Sequence, residues 1–194
     1  MLHHDDPLPS RPSRVLVAGV SGVGKTTLAR RIAAVTGGPH TEIDALFHGP
    51  GWVPRPEFLD DVRGLVARDS WTTEWHYADA RPLLAQRADL LVWLDLPFAT
   101  VTLPRLLRRT VRRRLRREVL WNGNVEPPLW TVLTDREHVL RWAVTTRGML
   151  RTRVPLLEEQ LPDLTIVRLR SARQVDGWVE GPLRVACGAR RGEP

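Results

Sequence analysis

Apolar residues in this chain follow two recurring patterns. Short unbroken runs such as 15–18 (VLVA) and 90–94 (LLVWL) are fenced by glycine, aspartate or proline, whereas longer stretches place apolar residues every three or four positions. The runs lack the alternation of a half-exposed strand and are too short for helices. They read as strands buried on both faces, and the longer stretches as helices. In chain order the pattern predicts a strand at 15–18 and a helix over about 25–36, stopped by Gly37, Gly38 and Pro39. A short segment 40–43 then ends at Asp44, and residues 45–55 have no regular period. A helix over 56–68, a strand over 70–75 ending at Glu74, a short helix over 80–88 and the strand 90–94 follow. After these come a basic helix over 98–119, an irregular stretch 121–128, one or two helices within 129–161, a strand over 165–169 and a helix over 172–179. Strands alternating with helices argue for an α/β fold whose parallel sheet, here five strands, is covered by helices.

Composition changes this picture little. The 194 residues suit one domain, taken as 14–187, with 1–13 expected as a flexible leader and 188–194 as a loose tail. No apolar run is long enough for a membrane span, and residues 1–13 lack the apolar core of a signal peptide. The single cysteine, Cys187, permits no internal disulfide, which makes the cytoplasm the default compartment. No Cys or second His lies near His48 or His76 at ligand spacing, so a structural zinc is not expected. The formal net charge is +7, and eight arginines between Arg105 and Arg117 match the whole excess. That segment is either a phosphate-binding face, a solvated basic face or a docking surface for nucleic acid.

The chemistry-bearing stretch follows the first strand. Residues 14–27, RVLVAGVSGVGKTT, carry Gly-x-x-x-x-Gly-Lys-Thr, the pattern of a phosphate-binding loop. Gly19, Gly22 and Gly24 let the backbone curl, so that N–H groups over Gly19, Ser21, Gly22, Val23, Gly24, Lys25, Thr26 and Thr27 can face phosphate oxygens. The helix beginning near Lys25 adds the positive end of its dipole. Lys25 then reaches the β- and γ-phosphates of ATP, and the Thr26 hydroxyl takes a Mg²⁺ position. Lys25 is the only lysine among 29 basic residues, at a place where arginine's planar fork cannot replace a compact ammonium.

The phosphate-binding loop, the DALFHGPGW stretch from Asp44 to Trp52, the VWLDLP stretch from Val92 to Pro97 and the arginine-rich helix after it together resemble the adenylate-kinase-like P-loop proteins. Within these the chain is similar to the topology modulation proteins, themselves similar to shikimate and nucleoside monophosphate kinases. The resemblance covers about 14–179. It implies a three-layer P-loop sandwich, a five-stranded parallel sheet in the order 2-3-1-4-5, and an arginine-rich lid over about 105–128. It also implies a kinase that uses ATP and Mg²⁺ to phosphorylate a nucleotide, nucleoside or small hydroxylated acceptor.

On that resemblance the lid arginines are Arg105 and Arg109, with Arg108, Arg112 and Arg113 on the same stretch. Asp44, at the carboxyl end of the second apolar segment, either orients an acceptor hydroxyl, holds Mg²⁺ through water or caps the following turn. Glu74 stands where P-loop enzymes carry a metal-linked acid, although the WTTEWHY stretch departs from the relatives' apolar run and Asp-Gly. Asp95 shapes a turn. Arg173, after the last strand, either borders the adenine or simply begins a helix. Arg55 and Arg81 are candidates for an acceptor phosphate. Trp52 either stacks on a base or packs under its loop, while Trp71, Trp93 and Trp142 read as core. Glu126 is a possible partner for a lid arginine. Two readings of other classes stay open: an ATP-binding regulator whose basic helix docks on nucleic acid, and a nucleotide-binding module without an acceptor.

Overall fold

A computed structural model describes residues 1–125, 127 and 139–188, with the side chains of 139–142 left aside. Four strands form one parallel sheet in the order β2-β1-β3-β4. They are β1 (Arg14–Gly19), β2 (Trp71–Glu74), β3 (Leu90–Leu94) and β4 (Thr165–Leu169). The unbroken apolar runs have the expected cause: Val15 and Val17 point to one buried face and Leu16 and Ala18 to the other. Against the first face lie α1 (Lys25–Thr36) and α8 (Ala172–Trp178), through Leu28, Ile32 and Trp178. Against the second lie α3 (Phe58–Val66), α4 (Ala80–Arg87) and α7 (Met149–Gln160), through Val62, Leu84 and Val154. Trp71 and Trp93 belong to that second core.

The five-stranded order 2-3-1-4-5 is corrected to these four strands. Segment 40–43 touches the edge through a single parallel bridge, His40 to Thr72, with the Thr41 N–H donating to the Thr72 carbonyl at 3.0 Å. It leaves the edge at once, because Ile43 opens α2 (Ile43–Phe47) and its N–H is taken by a Glu74 carboxylate oxygen at 3.1 Å. The basic helix is also shorter than 98–119. A π turn over Phe98–Thr102 leads into α5 (Leu103–Arg116), with Pro104 in its first turn and Arg117 ending it in the left-handed conformation. Within 129–161 the described part comprises α6 (Val139–Thr146) and α7; residues 128–138, Glu126 and the Trp142 side chain lie outside the described residues.

Residues 1–13 run beside the sheet. The Leu2 N–H donates to the Ile166 carbonyl at 2.7 Å, and the Leu2 carbonyl accepts from Arg168 at 3.1 Å on the outer side of β4. Among the described residues no helix is long and apolar enough to cross a membrane.

Candidate active site

The site gathers where the central strand ends. β1 stops at Gly19, and the chain loops through Gly22 and Gly24, both at positive φ (83° and 110°), before α1 begins at Lys25. A side chain at Gly19 would meet Val23 Cγ1 at 2.6 Å, so the loop closes over its own first glycine. Lys25 Nζ donates to the Val20 carbonyl at 3.3 Å. Burial pulls the Lys25 pKa below the usual ammonium value; Arg109 and Arg81 push the same way, while Asp44 and Glu74 oppose them. Two acids and two further cations thus face one lysine.

Glu74, the last residue of β2, stands level with Val17 of β1 and is 3% exposed. Its carboxylate accepts from the Ile43 N–H at 3.1 Å and lies 3.3 Å from His40 Nε2. Burial alone would raise its pKa. These donors outweigh burial and hold the carboxyl below its ordinary value. The Thr26 hydroxyl, near enough to help lower the Glu74 pKa, and the Glu74 carboxylate are oxygen donors of the kind that suit Mg²⁺, a hard cation that takes few protein oxygens and leaves the rest to water and phosphate. Among the described residues no group of three His, Cys, Asp or Glu is placed to hold a metal by protein ligands alone.

Asp44, in the first turn of α2, accepts from the Tyr77 hydroxyl at 2.7 Å and lies 3.8 Å from His76 Nδ1. The Tyr77 oxygen lies 3.1 Å from His48 Nε2. Burial, with Lys25 nearby, lowers the His76 pKa to about 4, so this ring is neutral at pH 7. Burial and the Asp44 charge raise the Tyr77 phenol, which stays protonated and keeps donating to Asp44. Tyr77 and Trp52 hold positive φ values, 58° and 64°, that bulky residues rarely adopt.

A strap over 121–125 closes this side. The Trp52 N–H donates to Asn124 Oδ1 at 3.0 Å, Trp52 Nε1 to the Val125 carbonyl at 3.1 Å, and Asn124 Nδ2 to the Gly49 carbonyl at 2.9 Å. Trp121 donates from Nε1 to Glu42 at 2.7 Å and lies roughly parallel to the His48 ring. Trp52 is half-buried, and its polar atoms are spent on the strap.

The arginine-rich helix divides by face. Leu106 and Thr110 are buried and Arg109 and Arg113 half-buried, whereas Arg105, Arg108, Arg112 and Arg116 face solvent. α5 rests directly on the phosphate-binding loop, since a Cβ at Gly22 would meet Leu106 Cβ at 2.6 Å. Arg109 therefore bears on Lys25, and Arg105 does not share its face. Arg113 stacks over Trp121 at 5.9 Å and, with Arg112, approaches Glu118.

Other candidates lie apart. Arg55 is held by Asp61 at 2.9 Å, and Asp95 pairs with Arg168 and Arg151 across the sheet's end. Arg173 is exposed on α8, where Ser171 supplies the cap by accepting from the Gln174 N–H at 3.2 Å. Arg81, on α4, is buried and lies with Gly19, Ser21 and His76 around a small pocket. From sequence alone Tyr77 has no role, His76 is only an isolated histidine and 121–126 only a turn within or beside the lid. Their only signals were position: directly after Glu74 in WTTEWHY, and a WNGN turn beyond the basic helix.

No family model and no curated protein matches this chain. Solved structures do. The chain is similar to a gluconokinase from Sinorhizobium meliloti 1021 at 22% identity, over 91% of this chain and 95% of that one, with a TM-score of 0.48. It is similar to a sugar kinase from Janibacter sp. HTCC2649 at 25% identity, over 89% and 91%, with a TM-score of 0.45. A shikimate kinase from Acinetobacter baumannii in complex with shikimate gives 19% identity, 90% and 88% coverage and a TM-score of 0.47. All three of these neighbours are kinases.

Proposed function

We propose that this chain is an ATP-dependent phosphotransferase acting on a small hydroxylated acceptor, a nucleotide or nucleoside included. One observation carries the reading. Lys25, at the mouth of a glycine-rich loop, lies within electrostatic reach of both Asp44 and Glu74, and the neighbouring Thr26 hydroxyl helps hold the Glu74 carboxyl below its ordinary value. A phosphate cradle, a metal-binding pair and a separate acid for the acceptor thus meet at one strand end.

In this mechanism the loop N–H groups and Lys25 hold the β- and γ-phosphates of ATP. Thr26 and Glu74 would hold Mg²⁺, which would supply positive charge to offset the charge of the phosphates. The acceptor hydroxyl sits at Asp44. Its oxygen attacks the γ-phosphorus, the bond to the departing ADP oxygen breaks, and the hydroxyl proton passes to Asp44. The Tyr77 hydroxyl fixes the Asp44 carboxylate through its 2.7 Å bond. Arg109, on the inner face of α5, meets the charge that develops on the transferring group.

The test is ADP release from ATP and Mg²⁺ by the purified protein, with and without nucleoside monophosphates, nucleosides and small hydroxylated metabolites. Acceptor-dependent ADP that disappears in Lys25→Ala is the expected result. ATP binding and turnover unchanged in that variant would end the reading.

One observation favours a second reading. Arg105, Arg108, Arg112 and Arg116 form an exposed basic face, suited to nucleic-acid backbone. Binding to DNA or RNA that falls steeply with salt, with ADP release indifferent to every acceptor, would favour an ATP-binding regulator.

A further inference from the structure

We propose that the outer face of α5 docks on an anionic lipid surface, its apolar row entering the headgroup layer and its arginines meeting lipid phosphates. The proposal does not depend on the phosphotransferase reading, because it concerns the face of α5 turned away from the phosphate-binding loop.

Two rows run side by side along this helix. Leu107, Val111 and Leu115 recur every four residues, and Arg108, Arg112 and Arg116 do the same one position on, so each set forms a stripe and the two stripes are neighbours. Arg114 flanks the apolar row on its other side. A surface helix ordinarily turns such an apolar row toward the core. Here Leu106 and Thr110 already fill the core side, and the row faces water: Leu107 is 43% exposed and Leu115 78%, with Val111 exposed between them and Val119 just past the helix at 73%. These are four of the nine large apolar side chains that the described residues expose, and the other five are scattered along the chain. Single exposed apolar residues are ordinary, whereas a contiguous row marks an interaction surface.

The charge around the row is one-sided. Glu118 is the only acid between Phe98 and Val125, and Arg112 and Arg113 already approach it. Among the described residues no carboxylate pairs with Arg105, Arg108, Arg116 or Arg117.

That charge selects the occupant. A second copy of this chain would set the same arginines against these, and like charges oppose a symmetric pairing. A nucleic-acid backbone would satisfy the arginines, but it leaves the aliphatic row with nothing to enter, and positions 104–119 hold no aromatic ring on which a base could stack. The inner side of α5 is packed on the loop at Gly22, so the helix offers one side only, which fits a flat surface better than an enclosing protein groove. An anionic bilayer meets both needs together. The acyl boundary takes Leu107, Val111 and Leu115, while the arginines lay their apolar stems along it and reach the phosphates with their heads.

The test centrifuges the full-length protein with vesicles of equal parts phosphatidylglycerol and phosphatidylcholine, and separately with vesicles of phosphatidylcholine alone. Binding to the mixed vesicles and none to the neutral ones is the expected result. Leu107→Ser with Leu115→Ser leaves every charge in place and should lower the partition coefficient about tenfold. Arg108→Gln with Arg116→Gln should lower it by a similar factor, about tenfold, with the apolar row intact. Circular dichroism and thermal midpoint should match the parent in both, since all four side chains are exposed. Failure to bind the mixed vesicles would overturn the proposal, as would binding that either pair of substitutions leaves unaltered. So would a DNA duplex that strips the protein from the vesicles and binds the leucine variant as tightly as the parent, because the face would then belong to nucleic acid.

Discussion

Thr26 and Glu74 differ in how far the sequence reveals them. Thr26 belongs to a contiguous motif whose neighbours build the same loop, so its role can be read from a dozen residues. Glu74 follows WTT rather than an apolar run, and it gains meaning only from the register that sets it beside Val17 and from its nearness to the Thr26 hydroxyl. Such a contact across the sheet leaves no local trace. Glu74→Gln should lower turnover about 100-fold while moving ATP affinity far less, a loss typical of removing one group that meets transition-state charge. Steady-state kinetics across Mg²⁺ concentration would check it, and unchanged turnover at every concentration would remove Glu74 from the reaction. Tyr77 was equally invisible, because its bond to Asp44 joins positions 33 residues apart. Tyr77→Phe deletes one hydrogen bond to a charged acceptor and should cost about 1.5 to 3 kcal/mol in a denaturant melt, with kcat falling more than ATP affinity.

Among the elements, α5 best separates pattern from packing. Its arginines at spacings of three and four are plain in the sequence, but periodicity cannot say which face turns inward. Leu106 and Thr110 decide it by burying themselves, and so carry Arg109 and Arg113 inward and leave Arg105 outside. Arg109→Ala should therefore reduce kcat tenfold or more with little change in ATP affinity, while Arg105→Ala should stay within twofold. Equal losses would mean that the helix acts through its overall charge. The contact beneath α5 gives a second check. Alanine at Gly22 meets Leu106 Cβ at 2.6 Å and must adopt a φ near 83°, so Gly22→Ala should destabilise by about 1 to 3 kcal/mol and displace α5. The missing fifth strand has the same origin as the hidden inner face of α5. Segment 40–43 has the composition of a strand, and what shortens it is the capture of the Ile43 N–H by a carboxylate 31 residues away.

At the scale of the whole molecule, the layered α/β arrangement was the most legible feature, because strands buried on both faces must be continuously apolar. The site's electrostatics show instead as a pH dependence. His76 titrates near 4 in the fold against about 6.5 when unfolded, and burial lowers His48 in the same direction. Between those values the unfolded chain binds the proton and the folded chain does not. Stability is therefore full above about pH 6.5 and falls as pH drops toward 4, by at most about 1.4 kcal/mol per pH unit for each histidine. Thermal midpoints should decline over that window, and His76→Gln should flatten the decline; an unaltered profile would show that another group carries it.

Parallel sheets end in rows of backbone groups that invite pairing with other chains. Here the outer edge of β4 is taken by Leu2, and the outer edge of β2 by Pro39 and Thr41. Neither cover is a full strand, yet each occupies the groups on which an incoming strand would start. Shortening the chain by its first few residues would leave the phosphate-binding loop intact and uncover β4. The consequence would be sought in solubility, as turbidity that grows with protein concentration at a temperature where the fold is still intact.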